Sequence, residues 1–172
     1  MEEVILVDEL DREVGALEKM AAHRQGKLHR AFSILVFNSK GELLLQKRAL
    51  GKYHSGGLWT NTCCSHPRPG ETLVEAGKRK LLQEMGFDCD LTYSHKFLYK
   101  VELDNNLIEH EWDHVLIGYY DGDPQPNREE AMAWKYVPLE EIKTDARQRP
   151  EAYTLWFKLI LEHPELNTFH TV

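Results

Sequence analysis

The chain holds 172 residues, enough for one domain with a substantial core and too few for two ordinary ones. Its 42% hydrophobic and 28% charged residues exclude a disordered or fibrous chain, and a net charge of −7 with a pI near 5.7 excludes a general binder of nucleic acid or anionic membranes. No apolar run approaches the roughly 20 residues of a spanning helix, and the acidic start Met1-Glu2-Glu3-Val4 lacks a secretory pattern, so a cytoplasmic location is expected.

The apolar run Val4-Ile5-Leu6-Val7 suits a short strand, residues 8–15 a polar connection and residues 17–22 a helical turn. Residues 31–37 and 42–48 form a β-hairpin around the turn formers Asn38-Ser39-Lys40-Gly41. Residues 53–70 carry no apolar period, and a loop that long inside a small domain is usually functional. A helix follows over 71–85, punctuated by Pro69-Gly70 and Gly86. Residues 97–103 and 107–120 make a second hairpin turning at Asp104-Asn105-Asn106. Residues 133–137 read as a strand and 138–142 as a helical turn. Residues 150–162 form an amphipathic helix with Tyr153, Trp156, Phe157, Ile160 and Leu161 on one stripe. These elements predict a single domain of α/β (α+β) class, a mixed sheet with helices on both faces; strands outnumber long helices, which argues against a doubly wound parallel sheet.

Three cysteines, Cys63, Cys64 and Cys89, include no C-x-x-C pair and support neither a disulfide framework nor a thiolate zinc site. On the 71–85 helix, Lys80 and Glu84 stand four apart and share a face, an arrangement that by itself is most often a solvated ion pair. Glu109 and Glu111 stand two apart in a strand, so both project to one side, where like charges are costly unless a cation or partner offsets them. His23, His29 and His66 fall in polar or near-loop contexts rather than on apolar faces.

The loop and helix from Ser65 to Phe87 resemble the Nudix box, which binds divalent cations against a diphosphate. Glu71, Arg79, Glu84 and Gly86 fit it; Ser65 stands for its opening glycine, and Lys80 and Gln83 occupy two of its acidic positions. Further motifs resemble the type I isopentenyl-diphosphate isomerases, a branch of that fold which moves a double bond instead of cleaving a phosphoanhydride. They are L-E-K-x-A-A-H at 17–23, L-H-R-A-F at 28–32, K-R-A-L at 47–50, W-T-N-x-x-C-x-H-P at 59–67 and E-x-E at 109–111. The resemblance runs from about residue 17 to residue 162, and implies a single Nudix-like domain over 1–172, a mixed β-sheet sandwiched between helices.

The resemblance implies a metal held by His23, His29, His66, Glu109 and Glu111. Three imidazoles and two carboxylates suit Mn²⁺ or Zn²⁺, with Mg²⁺ a further option. It implies a second ion, Mg²⁺, at Glu84 and the Cys64 main-chain oxygen together with the substrate's diphosphate. Lys19, Arg48, Lys52 and Lys80 match diphosphate-contacting positions, supplying the basic patch an acidic chain lacks. Cys64 and Glu111 match the two proton-transfer residues and Tyr99 a tyrosine bonded to that glutamate. Trp156 offers either a π face to a carbocation or plain core packing. Cys63 is assigned no role, Cys89 a structural one, and His54, His95, His110, His114, His163 and His170 none. No flavin or nicotinamide fingerprint is present. The implied partner is a small isoprenoid diphosphate, with neither nucleic acid nor membrane; a monomer is expected, a dimer being the alternative. A lid over the site is expected from residues 1–15 or the C-terminal helix. A Nudix pyrophosphohydrolase is the alternative activity, and a silent diphosphate-binding domain a third.

Overall fold

Odd- and even-numbered side chains of the central strands are apolar alike, the pattern of a sheet covered on both faces. The computed structural model describes residues 1–168. In chain order it runs β1 (Glu3–Val7), β2 (Glu13–Glu18), α1 (Lys19–Gln25), β3 (His29–Phe37), β4 (Glu42–Arg48), β5 (Trp59–Thr60), β6 (Cys63–Ser65), α2 (Leu73–Met85), β7 (Leu91–Glu102), β8 (Ile108–Tyr119), β9 (Ala131–Pro138), α3 (Leu139–Gln148) and α4 (Leu155–Glu162). The nine strands form one mixed sheet. β8 lies parallel to β3, in register from His29↔Glu111 to Phe37↔Tyr119, and antiparallel to β7. β4 pairs with β9, and β6 with β3.

Leu35, Phe37, Leu43, Leu45, Val115 and Ile117 face α3 and α4, packing on Leu139, Ile142, Phe157 and Ile160. Ile34, Val36, Leu44 and Leu116 face the other way, onto Ala76, Leu81 and Met85 of α2. Each such fully buried side chain contributes about 1.5–3 kcal/mol relative to exposure. Helix α2 comes close to the sheet at Gly77, where a Cβ would meet Leu91 Cδ1 at 2.8 Å and Leu116 Cδ1 at 3.1 Å. It starts with a capping box between Thr72 and Glu75 and ends at Gly86 in the left-handed region, φ 74°.

Several expected boundaries move. The Glu18 carboxylate accepts the Met20 and Ala21 amides, so the first helix begins at Lys19, runs to Gln25, and leaves Leu17 and Glu18 in β2. That strand also takes residues 13–15 of the expected connection. The 31–37/42–48 hairpin touches only at Phe37↔Leu43, because β6 and β8 flank β3 while β9 takes β4. Within the 53–70 loop, Thr60, Asn61 and Thr62 are buried. Thr62 Oγ1 donates to Leu44 O at 2.6 Å and Asn61 Nδ2 to Cys63 O at 2.9 Å, which lets β5 and β6 form without apolar alternation. β7 begins at Leu91, six residues early, as a polar strand. The expected turn at 138–142 is the start of the ten-residue α3. The 150–162 helix is broken: Tyr153 bridges Trp59 and Thr154 N donates to Trp59 O at 3.1 Å, so the chain is extended there and α4 starts after Thr154. Among the described residues no helix is long and apolar enough to cross a membrane.

Candidate active site

The parallel register that pairs β3 with β8 sets His29 beside Glu111 at one end of the sheet. His29 Nε2 and His66 Nε2 converge on Glu111 Oε2, at 3.0 and 3.1 Å. His23, in the last turn of α1, completes a buried group in which one donor atom from each of His23, His29, His66 and Glu111 lies within 4.8 Å of the others. The Nδ1 atoms of His23 and His29 donate to Lys19 O (2.7 Å) and Lys27 O (2.8 Å). A neutral imidazole so bonded presents Nε2 as a lone pair. A lone pair on His29 facing a carboxylate oxygen calls for a positive charge between them, and the buried Nε2 of His23 has no hydrogen-bond partner among the described residues. Three imidazoles and a carboxylate arranged this way fit a divalent cation.

Electrostatics within the cage follow its crowding. Burial, with His66 alongside, lowers His23 to about 4. Burial also lowers His66, against the pull of Glu111. Burial alone would raise Glu111, but positive charge carried by His29 and His66, or by a cation between them and the carboxylate, prevails and holds it well below the usual carboxylate range. Burial and the adjacent Glu111 drive Glu109 well above it.

Tyr99 joins these two carboxylates. Its hydroxyl lies 2.7 Å from Glu111 Oε1 and closer still to Glu109 Oε1. A hydroxyl carries one proton, so the directions of shift assign an order: protonated Glu109 donates to Tyr99, and Tyr99 donates to ionised Glu111. Glu109 thus sits beside the four-atom group rather than in it; its Oε2 has no hydrogen bond and faces His54 Nε2 at 3.3 Å.

Cys64 is set by β6, opposite Ser33 of β3. Burial raises its thiol, so it rests protonated. Ser33 Oγ donates to Asp113 Oδ2 at 2.8 Å, and burial, then Glu111, raises Asp113 well above its ordinary value. Cys64, Tyr99, Glu109, Glu111 and Asp113 line one cavity, of about 670 Å³ including its open mouth, a size suited to a small ligand. Trp156 of α4 forms a wall, fixed by Nε1 donating to Asn61 Oδ1 at 3.2 Å, with the Arg48 guanidinium 5.1 Å from its ring centroid.

Four cationic side chains line the cavity, three of them paired with carboxylates. Lys19 pairs with Glu2 (3.1 Å), Lys52 with Glu130 (2.5 Å) and Lys80 with Glu84 (3.3 Å), while Arg48 donates to His54 O at 3.0 Å. Glu84 also accepts from Gln46 Nε2 at 3.2 Å. Both expected lid segments border the cavity, residues 1–15 through Glu2 and α4 through Trp156. Glu71 and Arg79 bind each other bidentately at 2.7 and 2.8 Å, bracing the loop against α2.

All of the residues read from the sequence as catalytic or substrate-binding therefore line this cavity; of the expected metal ligands, His23 and His29 lie buried behind its wall. His54, set aside from the sequence, is buried and lies against Glu109 and Trp156; its position in an irregular loop gave no signal. Asp113 was also missed, although strand alternation places it on the face of Glu109 and Glu111. Glu2 and Glu130 were unforeseeable without the fold. His110 and His114 point to the opposite face, toward Gly26 O and Tyr93. His95 stacks on His163, and His170 lies outside the described residues. Cys63 is buried behind the cavity, its thiol 3.6 Å from Glu84 Oε1, and Cys89 packs beside α2's core.

Residues 27–157 match the model of the NUDIX domain. The chain is 54% identical over 161 residues to the isopentenyl-diphosphate Delta-isomerase 2 of Aromatoleum aromaticum, covering 94% of this chain and 85% of that one. It is 48% identical over 169 residues to the isopentenyl-diphosphate Delta-isomerase of Burkholderia multivorans, covering 98% and 96%. In fold it is similar to the crystal structure of DR0079 from Deinococcus radiodurans, with a TM-score of 0.78 at 19% identity over 93% of this chain and 97% of that one. It also resembles the MutT protein of Methanosarcina mazei Go1, with a TM-score of 0.68 at 20% identity over 83% and 96%.

Proposed function

The chain belongs to the isopentenyl-diphosphate Delta-isomerases of the Nudix family, and from that membership we propose how its cavity interconverts isopentenyl and dimethylallyl diphosphate. An unactivated alkene must accept a proton at its terminal carbon, giving a tertiary carbocation; loss of a proton from C2 then completes the shift. Such a reaction needs a proton donor and a proton acceptor around the olefin and a wall that keeps water away.

Cys64 and Glu111 are the proton-transfer pair. The reaction is reversible, so each gives a proton in one direction and takes it in the other. A thiol kept neutral by burial suits one end of the transfer. At the other end, Glu111 exchanges protons with Glu109 through Tyr99, whose own proton is held by burial. Trp156 lends its π face to the cation, an attraction of roughly 2 kcal/mol when desolvated. Lys19, Arg48, Lys52 and Lys80 hold the diphosphate.

His23, His29, His66 and Glu111 would hold the divalent metal, Mn²⁺ or Zn²⁺, with Glu109 as the adjoining fifth ligand; Glu84 and the Cys64 main-chain oxygen would hold Mg²⁺ together with the diphosphate. Bound there, the cations supply positive charge beside Glu111 and across the phosphate oxygens. Free thiols at Cys63, Cys64 and Cys89 support a reducing, cytoplasmic setting.

The observation that carries this reading is the shared cavity of Cys64, Tyr99 and Glu111, which Lys19, Arg48, Lys52 and Lys80 also line. Lys80 and Gln83, both in its lining, stand where a hydrolase would place metal-binding carboxylates, which supports isomerisation over phosphoanhydride cleavage. The test is incubation with isopentenyl diphosphate and Mg²⁺ in D₂O, followed by NMR. Deuterium entering the methyl groups of dimethylallyl diphosphate, without phosphate release, is the expected result. Release of phosphate without methyl labelling would overturn the reading.

A further inference from the structure

Lys19 opens α1 and Lys52 lies in the loop after β4, so two segments far apart in sequence must deliver both ammonium groups to one diphosphate. A lysine stem is long and flexible, and ordering two of them costs rotamer freedom. The ring that both share is Tyr53. Lys19 Nζ stands 4.7 Å and Lys52 Nζ 5.7 Å from its centroid. Edge contacts with His23 (centroids 5.6 Å, interplanar 82°) and His54 (4.4 Å, 76°) keep the ring upright between the histidine cage and the cavity mouth. Its main chain is tied down as well: Asn105 Nδ2 donates to Tyr53 O at 3.2 Å, and Ser55 N donates to Asp104 Oδ1 at 3.1 Å. The tip of the β7–β8 hairpin thus fixes the loop that presents the ring.

We infer that Tyr53 is a positioning residue for the diphosphate, an aromatic platform that holds Lys19 and Lys52 where both can meet it. This rests on the reading that those two lysines bind the diphosphate. The platform acts through the π face, not the hydroxyl. Glu2 and Glu130 complete the arrangement, each pairing with one ammonium, so that the lysines are ordered before substrate arrives.

The test is calorimetric binding of inorganic pyrophosphate with Mg²⁺, alongside steady-state isomerisation, for wild type, Tyr53→Phe and Tyr53→Leu. Tyr53→Leu is expected to raise the pyrophosphate Kd and the substrate KM by roughly three- to tenfold, with kcat little changed; Tyr53→Phe should keep wild-type values. In a Lys19→Met/Lys52→Met background the effect of Tyr53→Leu should vanish, as coupled residues require. Should Tyr53→Leu fail to fold, Tyr53→Met fills the space with a flexible apolar chain and reads the same quantity. Unchanged Kd in Tyr53→Leu, equal weakening in Tyr53→Phe, or a fall in kcat at constant KM would each overturn the inference alone, provided the lysine variants bind pyrophosphate more weakly. If the lysine variants bind it as well as wild type, the diphosphate reading falls, and the platform with it.

Discussion

Replacing Tyr99 by Phe removes a single buried oxygen, yet that oxygen joins Glu109 to Glu111. The ring itself is retained, and Phe97, whose centroid is 5.5 Å away, continues to pack on it. What changes is polar. Glu111 keeps His29 and His66 on Oε2 but loses the Tyr99 hydroxyl on Oε1, and Glu109, whose Oε2 lacks a hydrogen bond among the described residues, loses the Tyr99 hydroxyl on its Oε1. Two buried oxygens without partners cost roughly 1–3 kcal/mol each, so a loss of about 2–6 kcal/mol is expected. For a chain of this size that is about 4–24 °C in Tm. Catalysis should suffer separately, because Glu111 no longer exchanges protons with Glu109. A positioned proton-transfer group is worth about 10²–10⁴-fold, and kcat should fall within that range while pyrophosphate affinity is kept. The assays are methyl labelling in D₂O at a temperature where the variant is fully folded, and a thermal melt of the same sample. A lowered Tm with near-wild-type kcat would show Tyr99 to be structural support alone and would refute the relay.

Cys64→Ala should reduce isomerisation by at least about 10²-fold while pyrophosphate binding, measured by calorimetry, is retained; turnover near wild type would remove Cys64 from the mechanism. Trp156→Leu should lower kcat by roughly 30-fold, the equivalent of about 2 kcal/mol, and Trp156→Phe by much less; equal losses in the two would mean packing rather than π attraction. Acid stability follows from two histidines that fold in neutral form, His23 at about 4 and His54 at about 2, against 6.5 when unfolded. Below 6.5 the unfolded chain gains protons that the folded one refuses. The stabilisation is therefore complete above about pH 6.5, is lost on His23's account down to about 4, and continues to fall for His54 toward 2. Urea titrations of chelator-treated wild type and His54→Asn should differ in slope by about 1.4 kcal/mol per pH unit between pH 6.5 and 4.5, a comparison that cancels the opposite contributions of Glu109 and Asp113; equal slopes would contradict it.

Much of the site was legible because its residues sit in short motifs with local logic. E-x-E in a strand places two carboxylates on one face by alternation alone, and the Pro-Gly and Gly borders announced α2. The isolated histidines were legible only by resemblance, since nothing local tells His23, which closes the cage, from His110, which points away from it. His54 illustrates the limit: its place in the site depends on Glu109 arriving from β8, a contact across 55 positions of chain. Boundaries moved wherever side chains overrode periodicity. Glu18 capped a helix two residues later than the apolar pattern suggested, and Tyr153 with Thr154 left a helical stripe to run alongside Trp59. The T-N-T segment formed strands because its side chains bond sheet carbonyls, a polar reason that no hydropathy pattern carries.

The histidine–glutamate cage draws its four donors from the last turn of α1, the start of β3, the residue after β6 and the first third of β8. The His29–Glu111 contact alone spans 82 positions. Long-range contacts of this kind close late, once the intervening loops have been shortened by other pairings. If the cage holds a divalent cation, its capture should be among the final events of refolding, and a chain missing any one of the four segments should be unable to retain it. The cage thereby doubles as a certificate of completed assembly: stoichiometric metal in a purified sample would report that both halves of the molecule have found each other.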